Sequence, residues 1–174
     1  SDASSGGNVM VSSGVSSSGQ SGSIMFETAA VTNEVGSGDL SMSTGATKGG
    51  KAGSMSLSAG DASDGIGGDV AVTSGSGAFA GAVRISAGTS TGASGSNVQV
   101  SAGSTTHPEF TGGELALVAG AGVTEGGDAL LQAGSGVVGG AVLISGGESE
   151  ESSGAVVVSS KDALTSGRVS IATG

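Results

Sequence analysis

Several residue types on which folded domains commonly depend are scarce in this chain. It has no cysteine, so neither disulfides nor thiol chemistry can contribute to the fold or the function. One proline among 174 residues, with no glycine at every third position, excludes a collagen-type triple helix. Three phenylalanines are the only aromatic residues, so a sugar-binding cleft built from stacked rings is not expected. No run of the printed sequence has the pattern of a signal peptide or a membrane span.

Positive charge is also scarce. Five lysine and arginine residues stand against fifteen acidic residues, which gives a net charge of −10 at pH 7. Nucleic-acid backbones and anionic membranes attract basic patches, so we expect no nucleic-acid partner and no membrane insertion. The single histidine, His107, lies beside Pro108 in the longest connection of the chain. Because a Ser/His/Asp site needs a histidine held beside a nucleophile, this isolated histidine predicts that the protein is not an enzyme.

What the chain does have is a phrase of eight residues that recurs twelve times. Each phrase carries apolar residues at its third and fifth positions and a small residue at its seventh, and glycine begins and ends most copies, as in Gly38–Gly45 and Gly53–Gly60. Consecutive phrases are 13 to 17 residues apart, about 14.5 on average. The phrases begin near residues 7, 22, 38, 53, 68, 81, 96, 113, 127, 140, 154 and 167. The whole of residues 1–174 therefore reads as one repeat array, without a cap at either end.

Alternation of apolar and polar residues predicts a β-strand in each phrase, with both apolar residues on one face. Since one such strand cannot bury its two apolar side chains alone, the sequence predicts that the copies stack. The predicted fold is all-β: a single-stack β-solenoid of about twelve coils with a 13–17 residue repeat and little or no helix. Its predicted core is the column of first apolar positions, with a second column two residues later. The core residues named for the first column are Val9, Leu40, Met55, Val70, Val83, Val98, Leu115, Val142, Val156 and Val169.

Some apolar residues occupy the position between the two core residues or the position after them, so they face away from the predicted core. Together they would form an exposed stripe. A stripe of this kind is typical of an interface, although a loop or the second side of the coil could equally cover it. The predicted assembly interface consists of Leu130, Leu143, Val157, Val118, Met10 and Met25.

Acidic residues precede the first apolar position in four phrases. Calcium takes oxygen ligands from carboxylates and carbonyls, so Asp39, Asp69, Glu114 and Asp128 are candidate calcium ligands. The alternative is that they are solvated acids at the rim of the coil, because the calcium-binding nonapeptide motif Gly-Gly-x-Gly-x-Asp does not occur. The sequence predicts no cofactor, with calcium as the one candidate ion.

In style, the phrases resemble the Gly/Ser-rich β-solenoid repeats of large secreted surface and matrix proteins, such as microbial adhesins and algal extracellular proteins. The resemblance implies an extracellular or cell-surface location and a mechanical role. On this basis we predict a structural, self-assembling filament or matrix segment whose copies stack head to tail, with other matrix components as possible partners. The alternative is a rod that presents a repetitive surface to ice, mineral or divalent cations.

Overall fold

A computed structural model describes residues 6–33, 35–161 and 163–173 of the chain. Within these ranges it contains no helix and no β-strand, so there are no element bounds to give. The prediction of an all-β solenoid is therefore wrong: the described backbone is irregular and its phrases are not paired in a sheet. The chain divides into two units, Ser1–Ile85 and Ser86–Gly174. The predicted uncapped ends include residues 1–5 and Gly174, which lie outside the described residues.

The extent of burial agrees with the absence of a sheet. The chain has an accessible surface of 17618 Å². A compact protein of this mass exposes about 7,300 Å² and a fully extended chain about 23,000 Å². The chain thus buries about a quarter of the extended surface, whereas a folded domain of this size buries more than two thirds. What order it has is consequently local.

That local order follows the sequence repeat. Sharp backbone bends occur in every one of the eleven connections between phrases, and in the described ranges none occurs inside a phrase. In five connections the bend is held by a serine or threonine hydroxyl that accepts a backbone N–H two or three residues further along, a common way of fixing a turn. These hydroxyls belong to Ser16, Thr47, Ser90, Thr105 and Ser149.

A backbone hydrogen bond, which we call a glycine clasp, closes many of the connections at their base. The N–H of the glycine that begins a phrase donates to the C=O of the glycine that ends the preceding phrase. Seven clasps occur in the described part of the chain, with N···O distances between 2.9 and 3.0 Å. The donor and acceptor pairs are Gly22 and Gly14, Gly68 and Gly60, Gly81 and Gly75, Gly113 and Gly103, Gly127 and Gly120, Gly140 and Gly134, and Gly154 and Gly147.

Close approach explains why glycine begins some of these phrases. A β-carbon on Gly68 would lie 3.1 Å from the β-carbon of Ala59, and one on Gly154 would lie 2.9 Å from the backbone nitrogen of Gly147. The contact at Gly68 also explains the small residue at the seventh position of the preceding phrase, Ala59, because its side chain packs against that glycine. Four half-buried residues of the described chain occupy that seventh position: Ser13, Ala59, Ala119 and Ala133.

Glycine at a corner of the chain is expected to adopt left-handed backbone angles. Few of the described glycines do so. Among the described residues only Gly50 has a positive φ, of 86°. At Gly50 a residue with a side chain would be strained. At the tightest clasps, those of Gly68 and Gly154, the missing β-carbon matters instead, because it allows the two segments to approach closely.

Connection length opposes the predicted solenoid at the shortest connections. In a single-stack solenoid each connection must return the chain along the length of the strand that it follows. An eight-residue strand spans about 23 Å. The five residues between Gly75 and Gly81 provide six steps, which reach at most about 22 Å when fully extended and less when they turn corners. A connection this short closes on its own base, as the Gly81–Gly75 clasp does.

Composition acts in the same direction. Each repeat of about 14.5 residues brings only two core-type apolar side chains, and glycine, present 37 times, loses more conformational freedom on ordering than any other residue. The columns predicted as the core are accordingly exposed. Val9 is 92% exposed, and the other named core residues, Leu40, Met55, Val70, Val83, Val98, Leu115, Val142, Val156 and Val169, are between 47% and 62% exposed. In the described ranges no apolar residue is buried.

Exposure nevertheless varies with position in the phrase. The second apolar column, which includes Leu57, Leu117 and Ile171, is 62% to 95% exposed, more than the first column from Ile24 onward. The first column lies two residues after the glycine that begins the phrase, where the end of the preceding phrase is near. Most repeats thus have one partly shielded apolar residue and one that is largely open to water.

Candidate functional site

An open cleft of the unit Ser86–Gly174 lies beside one glycine clasp. The phrases 113–120 and 127–134 are joined at the clasp between Gly127 and Gly120, and an open cleft of about 340 Å³ lies between them. The cleft is lined by Leu117, Val118, Ala119, Asp128, Ala129, Leu130 and Leu131. Residues just before the clasp form one wall and residues just after it form the other, so the clasp holds the two walls together at their base.

The lining is almost entirely apolar. Six of the seven lining residues are aliphatic, and Asp128 is the one charged group among them. The four large side chains, those of Leu117, Val118, Leu130 and Leu131, are between 73% and 88% exposed. Water therefore covers an apolar surface here, and an apolar partner that displaced this water would be bound favourably.

The structure brings together some of the residues singled out from the sequence. Val118 and Leu130, both from the predicted assembly interface, lie in the cleft with Asp128, a candidate calcium ligand. The other four interface residues, Leu143, Val157, Met10 and Met25, lie outside the cleft and are between 75% and 90% exposed.

Two cleft residues belong to the second apolar column, which the sequence analysis assigned to the core. Leu117 and Leu131 line the cleft instead, next to Val118 and Leu130. The signal that could have found them is adjacency. Leu117-Val118 and Leu130-Leu131 are consecutive large apolar residues, and a strand with only one buried face cannot cover both members of such a pair.

The candidate calcium ligands are not gathered into one site. Asp39, Asp69, Glu114 and Asp128 belong to four different phrases. Within the described residues, no three acidic or histidine side chains converge in a group that could hold a metal ion. Calcium normally takes six to eight oxygen ligands, so a single carboxylate such as Asp128 supplies only a small part of a site. Calcium binding stays a prediction.

Several contacts hold the histidine loop, residues 104–112, together. Its base is the clasp between Gly113 and Gly103, and Phe110 N–H donates to His107 C=O at 3.3 Å across a turn that contains Pro108. The His107 ring takes part in this order. Its Nδ1 accepts the Glu109 N–H at 3.3 Å, and its ring lies 4.7 Å from that of Phe110 with a tilt of 43°.

These contacts give His107 a role in holding its own loop. As an acceptor, Nδ1 carries no proton, so the neutral ring has its proton on Nε2. The His107 backbone N–H donates to Thr105 Oγ1 at 3.1 Å, and its C=O and Nδ1 accept the N–H groups of Phe110 and Glu109, so every one of these partners belongs to the same loop. The prediction that the protein is not an enzyme stays a prediction.

Comparison with protein-family models, with curated proteins and with solved structures finds no match to this chain. The resemblance to secreted repeat proteins thus rests on the style of the phrases alone. Across the described ranges, no helix is both long and apolar enough to cross a membrane. Function has to be argued from the residues and contacts of the chain itself.

Proposed function

We propose that this chain is a structural, self-associating repeat segment of an extracellular or cell-surface matrix, in which apolar phrases of different copies come together. The observation that carries the proposal is the exposure of the apolar residues. They return with every repeat, and in the described ranges none is buried within its own chain. Surfaces of this kind on soluble proteins are normally covered by a partner.

The occupant that fits these surfaces best is a second copy. A phrase presents apolar residues at alternating positions on a chain with little bulk, which suits an open cleft with aliphatic walls such as the one beside Gly120. With twelve phrases a copy can make many weak contacts at once, and each contact after the first is intramolecular, so modest single contacts combine into strong overall association.

Electrostatic repulsion between copies opposes their association. At a net charge of −10 the copies repel one another, and this repulsion is screened by salt. Association through apolar surface strengthens on warming from low temperature, since the hydrophobic driving force near 25 °C is mainly entropic. We therefore expect association to be favoured by warmth and by salt together.

Sedimentation velocity and light scattering of the purified chain, over a range of concentration, temperature and salt, test this proposal. We expect a threshold concentration above which large species form, and we expect warming and added salt to lower it. A chain that stays monomeric under all of these conditions refutes the proposal.

Substitutions in and outside the cleft test whether the cleft takes part in association. In Leu130→Ser a large apolar side chain of the cleft becomes polar, which should raise the threshold about tenfold, because burying a leucine stabilises a contact by about 1.5–3 kcal/mol. The matched control is Ala71→Ser, which places the same serine at the equivalent position of the phrase Gly68–Gly75, outside the cleft and the predicted interface. Equal shifts in the two variants would show that the cleft has no special part in association.

A further inference from the structure

The four methionines of the chain all lie within its first four phrases. They are Met10, Met25, Met42 and Met55, one in each of the first four phrases and all in the unit Ser1–Ile85. Met42 and Met55 occupy the apolar positions of their phrases, and Met10 and Met25 occupy the position between them. The remaining eight phrases use valine, leucine, isoleucine and alanine at their two apolar positions and contain no sulfur.

The methionine side chains are accessible. Their exposed fractions are 90% for Met10, 75% for Met25, 72% for Met42 and 59% for Met55. Susceptibility of a thioether to oxidation follows its exposure, and with no cysteine in the chain these four sulfurs are its only oxidisable sulfur atoms. No thiol of the same chain competes with them for an oxidant.

We propose that these four methionines are a modification site for hydroperoxides, and that their oxidation to sulfoxides weakens self-association through the first four phrases. This inference rests on the proposed function, because it concerns the apolar surface through which copies associate. The eight phrases without methionine keep their apolar residues under the same conditions. Oxidation thus acts on one part of the repeat array and leaves the other part unchanged.

The chemical step balances without any further reactant. The thioether sulfur attacks the terminal oxygen of the hydroperoxide, a sulfur–oxygen bond forms and the oxygen–oxygen bond breaks. The sulfur loses two electrons, and the peroxide is reduced to water or an alcohol, which keeps the proton of the attacked oxygen. The product is a polar, chiral sulfoxide at a position where the phrase has an apolar side chain, and methionine sulfoxide reductases can reverse the change.

The experiment treats the full chain with hydrogen peroxide and follows each methionine by peptide mass spectrometry. We expect all four to oxidise at rates within about threefold of free methionine, with Met10 fastest and Met55 slowest, in the order of their exposure. We also expect the threshold concentration for association to rise at least tenfold, roughly the effect of losing one well-buried apolar side chain from the contact. Reduction of the sulfoxides should restore the original threshold.

The control is a chain with Met10→Leu, Met25→Leu, Met42→Leu and Met55→Leu. Leucine preserves the apolar character and approximate volume of methionine but cannot form a sulfoxide. This variant should associate like the untreated parent, within about a factor of three, both before and after peroxide. A threshold that rises equally in the variant would show that peroxide acts elsewhere, and would overturn the inference.

Two other results would overturn it, and each has a different meaning. Oxidation more than about tenfold slower than that of free methionine would show that the sulfurs are protected. Complete oxidation with an unchanged threshold would show that the methionine phrases take no part in association, and would leave the proposed function intact. An untreated chain that never associates refutes the proposed function and this inference with it, and the untreated sample alone reveals that result.

Discussion

Replacement of Gly154 by alanine should open one glycine clasp. Gly154 N–H donates to Gly147 C=O at 2.9 Å, and a β-carbon on Gly154 would lie 2.9 Å from the backbone nitrogen of Gly147. Real β-carbons essentially never approach backbone that closely, so one of the two chain segments has to move. Because the obstructing atom belongs to the backbone and not to the end of a flexible side chain, we expect the hydrogen bond to break.

The size of the effect follows from the worth of the bond. A backbone hydrogen bond contributes about 0.5–1.5 kcal/mol net, which corresponds to about 2- to 13-fold slowing of amide exchange at its donor. Amide hydrogen exchange measured by nuclear magnetic resonance, relative to the rate expected for an open chain, should show this protection at residue 154 of the parent. In Gly154→Ala the protection should fall to about one, since the donor is released to water.

The acceptor of the same clasp provides a matched control. A β-carbon on Gly147 meets no described atom within 4 Å, and Gly147 is not among the residues with positive φ. Gly147→Ala should therefore keep the clasp and restrict the open chain, which favours the closed form by about 0.4–1 kcal/mol. Protection at residue 154 should then rise about two- to fivefold.

The two variants make the same chemical change at the two ends of one hydrogen bond and are expected to act in opposite directions. If both lower the protection, glycine is needed at the clasps for flexibility and not for close approach. If the parent shows no protection at residue 154, the clasp is not formed in solution, and the account of the seventh-position small residues fails with it.

Three further predictions concern charge and the histidine loop. Association should be strongest near pH 4.1, where the net charge of the chain is zero, and a turbidity profile with no maximum between about pH 3 and pH 5 would contradict this. At a fixed pH, His107→Ala should speed exchange of the Glu109 amide relative to the parent, since the variant lacks the Nδ1 that accepts the hydrogen bond of that amide; unchanged exchange in the variant would contradict the role given to the ring. Calcium at about 10 mM should shift the association threshold no more than magnesium at the same concentration, because the described carboxylates do not converge on one point. A larger shift with calcium, measured by light scattering, would support a specific calcium site.

The period of the chain could be predicted from the sequence, and the fold could not. Bends fall in every connection between phrases, and in five connections a serine or threonine hydroxyl, such as that of Ser16 or Ser90, fixes the turn. Strand pairing was inferred from alternation alone, which describes the faces of a strand but says nothing of how the chain returns to the next one. The five-residue connection between Gly75 and Gly81 argues against stacked strands, because it is too short to return the chain along an eight-residue strand.

The candidate site was predictable to a similar, partial extent. Val118 and Leu130 were named because they break the alternation on the outer face, and both line the cleft. The alternation predicts Leu117 and Leu131 in the core, but no apolar residue is buried in the described chain. Regular spacing places apolar residues on one face and does not show that this face is buried. The clasps themselves depend on contact between backbone atoms six to ten residues apart, and the sequence shows only that glycine is present at both ends.

The clasps bear on association as well as on local order. Binding between flexible chains is opposed by the entropy of ordering the segments that meet, and a segment that is already ordered binds at a lower cost. The clasp between Gly127 and Gly120 fixes the two walls of the cleft relative to each other before any partner arrives. Opening it should therefore weaken association even though neither glycine lines the cleft. Gly127→Pro removes the N–H that donates in this clasp, so it should raise the threshold while every apolar wall residue is kept. If Gly127→Pro associates as readily as the parent, the walls gain nothing from being held together, and the exposed apolar residues act as independent contacts along the chain.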